Sequence, residues 1–403
     1  MCYCIILVDY KILGVLVKKV TILGATGSVG RNTVDLIINS KKKYQIIAVT
    51  GYNNYKLLAK IAIKLNCKYA ILGNKRNFSK FKVLLKNSSI ICMCGEDSVA
   101  KAAKFKTDIV FSCIVGLAGL KPTLFAIKNT KIIALANKES LVGAGKILMK
   151  DSIKFNTRII PLDSEHNAIF KIIDKEKITN IKNVILTASG GPFWNKKLKN
   201  LKKISVKEAL NHPKWKMGKK ISIDSSTMMN KLLEIIEASV LFNLDLKQIK
   251  ILIHPVSLIH GIVNYIDGTS FLVASKPDMK IPINYALNWP EKEDIGFSNL
   301  NLLRIKQLKF FKADNKKFPA LNLIDHLKEK KYFHSRAVVI NAANEVAVES
   351  FLNNKIGYFD IVNITSKIVK KYKHKNISSY DDIMLIDRDT RRLSKELING
   401  LSG

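Results

Sequence analysis

Cysteine and proline are scarce in this chain of 403 residues, which contains 6 cysteines and 9 prolines. No C-x-x-C pair occurs and no cysteine–histidine spacing suits a metal, so a disulfide scaffold and a zinc module are both excluded. Long apolar runs are also missing, because Asp9 and Lys11 interrupt the apolar start of the chain. That start lacks the basic region and cleavage site of a signal peptide and is too short to span a bilayer. We therefore predict a cytoplasmic protein with reduced thiols and no membrane partner.

Acidic residues are few, with 32 Asp and Glu against 67 Lys and Arg and a net charge of +35. Such an excess normally indicates binding to nucleic acid or acidic lipid. Here the lysines are dispersed along the chain and accompanied by many Asn and Ile, which a bias toward AT-rich codons explains. A nucleic-acid-binding protein would show clustered basic residues with interleaved aromatics. We expect no nucleic-acid partner, although the charge favours an anionic small substrate.

The apolar pattern changes along the chain. Over residues 17–162, short apolar runs alternate with helical segments, which predicts an α/β domain with a Rossmann-like parallel sheet. Residues 163–290 predict a central α+β domain with a partly antiparallel sheet and a turn at Asp267–Gly268. Residues 291–315 predict a connector. Residues 316–403 predict a helical domain, in which SRAVVINAANEVAVESFLNN forms an amphipathic helix.

A glycine loop, GATGSVG at residues 24–30, joins the first predicted strand to the first predicted helix. Glycines permit a tight turn and a close approach to a pyrophosphate, which the free N–H groups of the helix then bind. The G-x-x-G-x-x-G spacing is a variant of the commoner pattern, but its strand–turn–helix context predicts dinucleotide binding. The second strand ends in AVTGYNNYK, residues 48–56, which has no acid to bind a ribose hydroxyl and so favours NADPH over NADH.

Asp163 and Glu165 alternate in PLDSEHNAIF, where the last strand of the first domain is predicted to end. Both side chains could therefore point to one side. Two hard oxygen ligands at a strand end suit Mg²⁺ or Mn²⁺, and a solvated loop is the alternative.

A single apolar helix with one polar stripe is predicted within residues 224–239. Ser225 or Ser226 could cap it. The stripe recurs at spacings of three and four and so shares one face: Thr227, Asn230, Lys231 and Glu234. This face predicts a site wall, with the amide and ammonium for a phosphate and the carboxylate for a metal. Glu237, one turn further on, is either solvated or functional.

Residues 189–219 predict a mobile flap. Ser189 precedes two glycines, and HPKWKMGKK follows after a lysine-rich stretch. Trp215 and Met217 could cover a bound ring, with an ordinary surface loop as the alternative.

Asn137, Lys138 and Glu139 follow a predicted strand, at the sheet edge where ligands bind. His254 and His260 lie in an apolar stretch and are expected to be structural.

The motifs GATGSVG, ANKESL, PLDSEHNAIF, SGGPFW, HPKWKMGKKISIDSSTMMNK and NAANE occur in the order typical of 1-deoxy-D-xylulose 5-phosphate reductoisomerases, and the chain resembles that family from about residue 18 to its end. The resemblance implies a homodimeric enzyme of the methylerythritol phosphate pathway to isoprenoid precursors. Such an enzyme rearranges 1-deoxy-D-xylulose 5-phosphate and reduces the product with NADPH to 2-C-methyl-D-erythritol 4-phosphate. It requires a divalent metal: Mg²⁺, Mn²⁺ or Co²⁺.

The resemblance also implies roles for individual residues. The metal ligands would be Asp163, Glu165 and Glu234. The phosphate would be held by Ser189, Ser225, Asn230 and Lys231. The rest of the substrate would meet Lys138, Ser164 and His212, with Trp215 and Met217 closing over it. NADPH would be held by Thr26, Gly27, Ser28, Val29, Tyr52, Asn53, Asn54, Asn137, Glu139 and Gly218. Catalytic roles would fall to Lys138, Glu165, Glu234 and His212, without a single general base being assigned.

Three features depart from the family pattern. The family usually starts just before the strand of the glycine loop, so residues 1–16 are predicted to be surplus and Val17 to be the real start; a genuine short extension is the alternative. Tyr52 and Asn53 stand where the family usually has a glycine followed by a basic or small residue. Leu232 replaces a glycine between Lys231 and Glu234 and could crowd the site.

Two other enzyme-related hypotheses remain to be weighed. An oxidoreductase of the semialdehyde dehydrogenase type would need a catalytic cysteine in mid-chain, whereas Cys113 is the last cysteine and lies in an apolar segment. A decayed, inactive relative is disfavoured because every expected metal and phosphate position is filled.

Overall fold

The computed structural model describes residues 17–173, 178–201, 204–215 and 217–400. The predicted surplus extension, residues 1–16, lies outside these ranges. Within the described ranges, no helix is both long and apolar enough to cross a membrane.

The amino-terminal region contains a seven-stranded sheet in which every pair of neighbouring strands is parallel, in the order β4-β3-β2-β1-β5-β6-β7. Its strands are β1 Lys18–Leu23, β2 Tyr44–Gly51, β3 Tyr69–Leu72, β4 Ile91–Cys94, β5 Thr107–Ser112, β6 Thr130–Leu135 and β7 Arg158–Pro161. The last four residues of the central strand β1, residues 20–23, are buried because helices cover both faces of the sheet. The predicted Rossmann-like parallel sheet is confirmed.

Seven helices occur along this part of the chain: α1 Ser28–Asn39, α2 Tyr55–Lys64, α3 Phe78–Leu84, α4 Glu96–Ala102, α5 Leu120–Ile127, α6 Lys138–Lys154 and α7 Ser164–Ile173. Two of them begin at asparagine caps. The Asn54 side chain accepts the N–H of Leu57, and the Asn137 side chain accepts the N–H of Ser140. These caps fix where α2 and α6 begin, at the edge of the sheet where the site is built.

A second sheet follows, in the order β11-β10-β8-β9-β12. Its strands are β8 Ile181–Ala188, β9 Ile249–Ile253, β10 Ile259–Tyr265, β11 Ser270–Ala274 and β12 Phe311–Lys312. Only β8 and β9 pair in parallel, so the predicted partly antiparallel sheet is confirmed. The turn at Asp267–Gly268 lies between β10 and β11, with Gly268 at φ +89°. Residues 291–315, predicted as a connector, also contribute β12.

The helices of this region are α8 Val206–Leu210, α9 Lys219–Thr227, α10 Met229–Leu241 and α11 Lys280–Asn288. The prediction of one helix within 224–239 is wrong, because Met228 adopts a left-handed conformation with φ +63° and separates α9 from α10. Ser225 and Ser226 therefore lie in the last turn of α9 and do not cap a helix. Thr227 also belongs to α9, where its hydroxyl donates to the carbonyls of Ile223 and Asp224.

Three long helices complete the chain: α12 Phe333–Leu352, α13 Asp360–Lys371 and α14 Tyr380–Asn399. The α12 segment is helical as predicted, but its predicted amphipathic character is wrong, since 13 of its 20 residues are buried. Helices α6, α13 and α14 pack around it. Its many alanines and two buried asparagines suit close contact with several neighbours. Side chains of α6, α10, α12 and α13 share one apolar core, so the carboxy-terminal helices support the site from behind.

Candidate active site

Three carboxylates from two elements converge at the carboxyl edge of the first sheet. Strand β7 ends at Pro161, so Asp163 and Glu165 do not extend a strand as predicted but lie at the start of α7. Asp163 accepts the N–H groups of Glu165 and His166, and these bonds fix the beginning of that helix. Glu234 reaches the same point from α10. One oxygen from each of Asp163, Glu165 and Glu234 lies within 4.8 Å of the others.

Two lysines lie among these carboxylates. Lys138 Nζ is 2.9 Å from Asp163 Oδ2 and 3.5 Å from Glu234 Oε1, and it also donates to the Asn230 amide oxygen at 2.9 Å. Lys231 Nζ donates to Glu165, to Glu234 and to the Thr187 carbonyl. Lys138 thus links the start of α6 to Asp163 and to α10, and Lys231 links α10 to α7 and β8. These segments lie far apart in the sequence.

Burial and charge act in opposite directions on these groups. Burial, reinforced by Asp163, raises the pKa of Glu234 to about 7. Burial also opposes ionisation of Asp163, but Lys138 and His166 hold its pKa well below the usual range. Burial opposes the charge of Lys138, yet Asp163 and Glu234 raise its pKa well above normal. The cluster therefore keeps a charged ammonium group beside one carboxylate that ionises readily, Asp163, and one whose ionisation is opposed, Glu234.

The donor set fits a hard divalent cation. Three carboxylates offer oxygen atoms close enough to share one ion, and oxygen is the ligand that Mg²⁺ and Mn²⁺ prefer. Asn230 Nδ2 donates to Glu234 Oε1 at 2.5 Å, and Ser164 Oγ donates to Glu165 Oε2 at 2.5 Å. These bonds orient two of the carboxylates before any ion binds.

Sequence reasoning missed His166 and left Glu237 open. His166 is fully buried, with Nδ1 2.9 Å from Asp163 Oδ1 and Nε2 2.9 Å from the Glu234 carbonyl. Glu237 is buried too, and its carboxylate lies 3.3 Å from His166 Nδ1. Burial opposes protonation of His166, but Glu237 and Asp163 raise its pKa to about 9. The spacing of His166 three residues after Asp163 was the available indication of this contact.

The residues predicted to hold a phosphate come from three segments. Ser189 Oγ lies 3.0 Å from His212 Nε2 and accepts the N–H of Gly191 at 3.2 Å. A Cβ on Gly191, at φ +64°, would lie 2.8 Å from the Ser225 carbonyl oxygen. Only glycine therefore lets the Ser189 turn pack against the end of α9. Asn230 and Lys231 are held on the carboxylate side by the contacts described above.

His212 is fixed as a neutral donor. Its Nδ1 accepts the backbone N–H groups of Lys214 and Trp215, so Nε2 carries the proton and donates to Ser189 Oγ. Burial lowers the pKa of His212 to about 4. The Ser189 hydroxyl consequently accepts two hydrogen bonds and keeps its own proton for an acceptor. Trp215 and Met217 are partly buried in the same segment.

The glycine loop has the geometry that a pyrophosphate requires. Gly24 has φ +84°, and a Cβ there would lie 2.9 Å from the Cys113 carbonyl. A Cβ on Gly30 would lie 2.3 Å from the Gly24 oxygen. The N-cap residue of α1 is Gly27, which has no side chain to accept the first N–H groups of the helix. Thr26, Ser28 and Val29 complete this loop, whose open N–H groups fit a dinucleotide.

The other predicted cofactor residues are placed as follows. The Tyr52 ring is 55% exposed and packs over Gly73, where a Cβ would lie 2.5 Å from Tyr52 Cδ2. Asn53 accepts from the Asn74 amide at 2.8 Å. The buried Asn137 amide donates to the carbonyls of Ile114 and Gly116.

Two further positions lie closer to the flap. Glu139 is buried beside Lys220, and Gly218 precedes α9 as its exposed N-cap residue.

Leu232 does not enter the polar cluster. It is fully buried in the apolar core shared with α6 and α12. Replacing glycine there adds core contacts on the face of α10 opposite to the carboxylates.

The structure also argues against a cysteine nucleophile, because burial raises the pKa of Cys113 to about 12. His254 and His260 are both buried, as expected for structural residues.

Comparison with known proteins indicates one family. The family model for 1-deoxy-D-xylulose 5-phosphate reductoisomerase matches residues 20–145, and models for its C-terminal domains match residues 159–242 and 274–393. The reductoisomerase of Wolbachia pipientis from Culex pipiens is 44% identical over 94% of this chain and 97% of its own length. That of Ehrlichia canis is 39% identical over 95% of this chain and 100% of its own.

Solved structures show the same likeness in three dimensions. The Zymomonas mobilis reductoisomerase in complex with NADPH superposes with a TM-score of 0.89 and 40% identity, covering 95% of this chain and 99% of its own. A reductoisomerase solved with NADPH, fosmidomycin and magnesium gives 0.88 and 36%, covering 96% and 99%. Because relatives 39–44% identical cover nearly the whole length and the fold is matched as well, the chain belongs to the 1-deoxy-D-xylulose 5-phosphate reductoisomerase family.

Proposed function

We propose that this protein rearranges 1-deoxy-D-xylulose 5-phosphate and reduces the product with NADPH to 2-C-methyl-D-erythritol 4-phosphate. This is the step of its family in the methylerythritol phosphate pathway to isoprenoid precursors. The observation that carries the proposal is the convergence of Asp163, Glu165 and Glu234 between Lys138 and Lys231. Such a cluster suits a reaction that develops negative charge on a substrate oxygen.

Asp163, Glu165 and Glu234 would hold a Mg²⁺, Mn²⁺ or Co²⁺ ion, which supplies Lewis acidity at the substrate carbonyl and the adjacent hydroxyl. Lys138 lies among the same carboxylates, which raise its pKa well above the usual range against the effect of burial and favour its charged form. It therefore balances charge and keeps Asp163 and Asn230 oriented toward the substrate. His166, from behind, holds Asp163 on its other oxygen.

Ser189, Ser225, Asn230 and Lys231 would bind the substrate phosphate. Ser189 offers a hydroxyl proton because His212 and Gly191 already donate to its oxygen. All three protons of Lys231 have acceptors in Glu165, Glu234 and Thr187. Binding a phosphate thus requires Lys231 to exchange at least one of these partners, which links phosphate binding to the state of the carboxylates.

NADPH would bind along the glycine loop and supply the hydride for reduction. The chain's own part is to hold the pyrophosphate on the α1 N–H groups and to exclude water over the reacting carbons. Trp215 and Met217 would provide that exclusion when the flap, residues 189–219, closes. A dry site strengthens the interactions of Lys138 with a developing anion.

The test is the loss of NADPH absorbance with purified protein, 1-deoxy-D-xylulose 5-phosphate and Mn²⁺ or Mg²⁺. We expect metal-dependent oxidation that falls about a thousandfold in Glu234→Gln. An NADH reaction run in parallel measures the effect of the Tyr52–Asn53 turn on cofactor choice. A folded, metal-binding protein that oxidises no NADPH would contradict the proposal.

We further propose a homodimer that works in the cytoplasm. Edge strand β11 supports the dimer, because Phe271 and Leu272 are half exposed and Ile266 precedes it at 68% exposure. The thiols of the described cysteines, all free, support a reducing compartment. Light scattering coupled to gel filtration tests the first statement, since a mass near the 45.3 kDa of one chain would refute it.

A further inference from the structure

A buried ion-pair cluster, separate from the carboxylates of the site, lies where the flap ends. Lys220 is in the first turn of α9, two residues after Gly218. Its Nζ lies 3.1 Å from Glu139 Oε1 and 3.1 Å from Asp224 Oδ2. Both carboxylates are buried, so these are not solvated surface contacts.

A third helix completes the cluster. Asn344 on α12 is fully buried and donates to Asp224 Oδ1 at 2.8 Å. Asp224 thus uses one oxygen for Lys220 and the other for Asn344. Burial opposes the charge of Lys220, but Asp224 and Glu139 together raise its pKa above normal. The ammonium therefore ties α9 to the start of α6, while the amide ties α9 to α12.

The positions of these residues along the chain connect the cluster to the site. Glu139 follows Lys138, whose ammonium lies among the carboxylates. Asp224 precedes Ser225, against whose carbonyl the Ser189 turn packs. The Tyr358 hydroxyl, in the turn between α12 and α13, donates to the Ser226 carbonyl at 2.5 Å and holds the same end of α9.

Space is open beside the chain immediately before Lys220. A Cβ on Gly218 would meet no atom within 4 Å, and Gly218 is exposed and extended. The Gly218 carbonyl accepts the N–H of Ser222 as α9 begins, and α9 itself is held on two sides. Lys220 is thus the first firmly held residue after the flap.

We propose that Lys220 is a positioning residue, which anchors the carboxy-terminal end of the flap to α6 and thereby sets the affinity for the phosphorylated substrate. The expected change in substrate affinity rests on the proposed function, whereas the anchoring of the flap can be measured in a protein that turns over no substrate. Lys220 acts through Glu139 and Asp224 and need not touch the substrate.

The experiment compares Lys220→Met with Lys220→Arg and with Lys328→Met. Arginine keeps the charge and can reach both acids, whereas methionine keeps only the apolar stem. Lys328 makes an exposed ion pair with Asp325 at 2.7 Å, far along the chain from the flap, and serves as the matched control. Two quantities are measured well below each melting temperature: the KM for 1-deoxy-D-xylulose 5-phosphate, and the rate of tryptic cleavage at the exposed flap residues Lys207 and Lys214.

We expect Lys220→Met to raise KM at least about fivefold and to speed cleavage in the flap by a similar factor. Lys220→Arg should recover most of both changes, and Lys328→Met should show neither. Wild-type KM and wild-type cleavage in Lys220→Met would overturn the inference. If the wild type itself fails to turn over, the proposed function fails, while the cleavage rates still decide whether Lys220 anchors the flap.

Discussion

At the scale of single residues, the site is defined by competition for its carboxylates. Lys138 and Lys231 occupy oxygen atoms that a divalent cation would also use. Ammonium groups this close stabilise the carboxylates before an ion arrives but also repel it. The two lysines therefore adjust how tightly the cluster holds a metal.

Lys138→Met should separate these two effects. Without metal, we expect the unfolding free energy to fall by about 3 kcal/mol, because Asp163 and Glu234 lose a buried partner. Mn²⁺ should nevertheless bind about tenfold more tightly, because the competing charge is gone, while turnover falls. Urea unfolding and calorimetric titration measure the two, with Lys328→Met as a control that changes neither. Weaker Mn²⁺ binding in Lys138→Met would show that the lysine does not compete.

A second residue-scale prediction concerns acid sensitivity. Burial, with a contribution from Lys146, lowers the pKa of His334 from 6.5 to about 4. The unfolded chain therefore binds a proton between these values that the folded chain does not, and stability falls as the pH drops from about 6.5 toward 4. His334→Gln should reduce the loss of unfolding free energy between pH 7 and pH 5 by about 1 kcal/mol. Urea unfolding at the two pH values measures it, and an unchanged loss would mean that His334 protonates freely in the folded state.

At the scale of elements, the break between α9 and α10 positions the site. Met228 holds φ +63° and is buried against Ala188, Ile253 and Phe318. The change of direction at this residue lets Ser225 end one helix while Asn230 and Lys231 begin the next. A continuous helix would place these groups differently.

The conformation of Met228 predicts an unusual order of stability. Met228→Ala loses the buried side chain and keeps a left-handed backbone, so we expect a loss of about 3 kcal/mol. Met228→Gly loses slightly more apolar surface but removes the strain and should be about 1 kcal/mol more stable than Met228→Ala. Inside a continuous helix the order would be reversed. Chemical denaturation of the two variants distinguishes these cases.

The same break shows where sequence reasoning succeeds and where it stops. Alternating apolar runs identified the parallel sheet, because buried strands and their covering helices carry strong patterns. The polar spacing of Asn230, Lys231 and Glu234 also identified one helical face. No pattern of residue types reveals a left-handed methionine, so the division at Met228 was missed. The periodicity of α12 predicts an amphipathic helix, because periodicity does not tell how many neighbours a helix has.

At the scale of the whole molecule, separate regions contribute to one polar cluster. Lys138 comes from the first sheet's helices, Asp163 from the junction after β7, and Glu234 from α10, with α12 packed behind. Sequence motifs indicated each of these three residues. The contacts of His166 with the Glu234 carbonyl and with Glu237 depend on how α7 lies against α10, which no local pattern encodes. A ligand bound at such a junction stabilises the fold as a unit.

Linkage between binding and folding provides a test of two separate sites in one molecule. A ligand at one hundred times its dissociation constant stabilises the fold by about 2.7 kcal/mol, whichever elements hold it. We expect both Mn²⁺ and NADPH to raise the melting temperature of the wild type. Glu234→Gln should lose the Mn²⁺ shift and retain the NADPH shift, because the glycine loop lies on β1 and α1.

Gly27→Asp should give the opposite pattern. Gly27 is the N-cap of α1 with φ −76°, a conformation that aspartate adopts readily, and a Cβ there lies 3.4 Å from the Gly24 oxygen. The variant should therefore fold, but its carboxylate would repel a pyrophosphate and satisfy the N–H groups meant to bind it. The NADPH shift should disappear while the Mn²⁺ shift remains. If either substitution removed both shifts, the carboxylate cluster and the glycine loop would be one coupled site, and the division of labour argued from their geometry would be wrong.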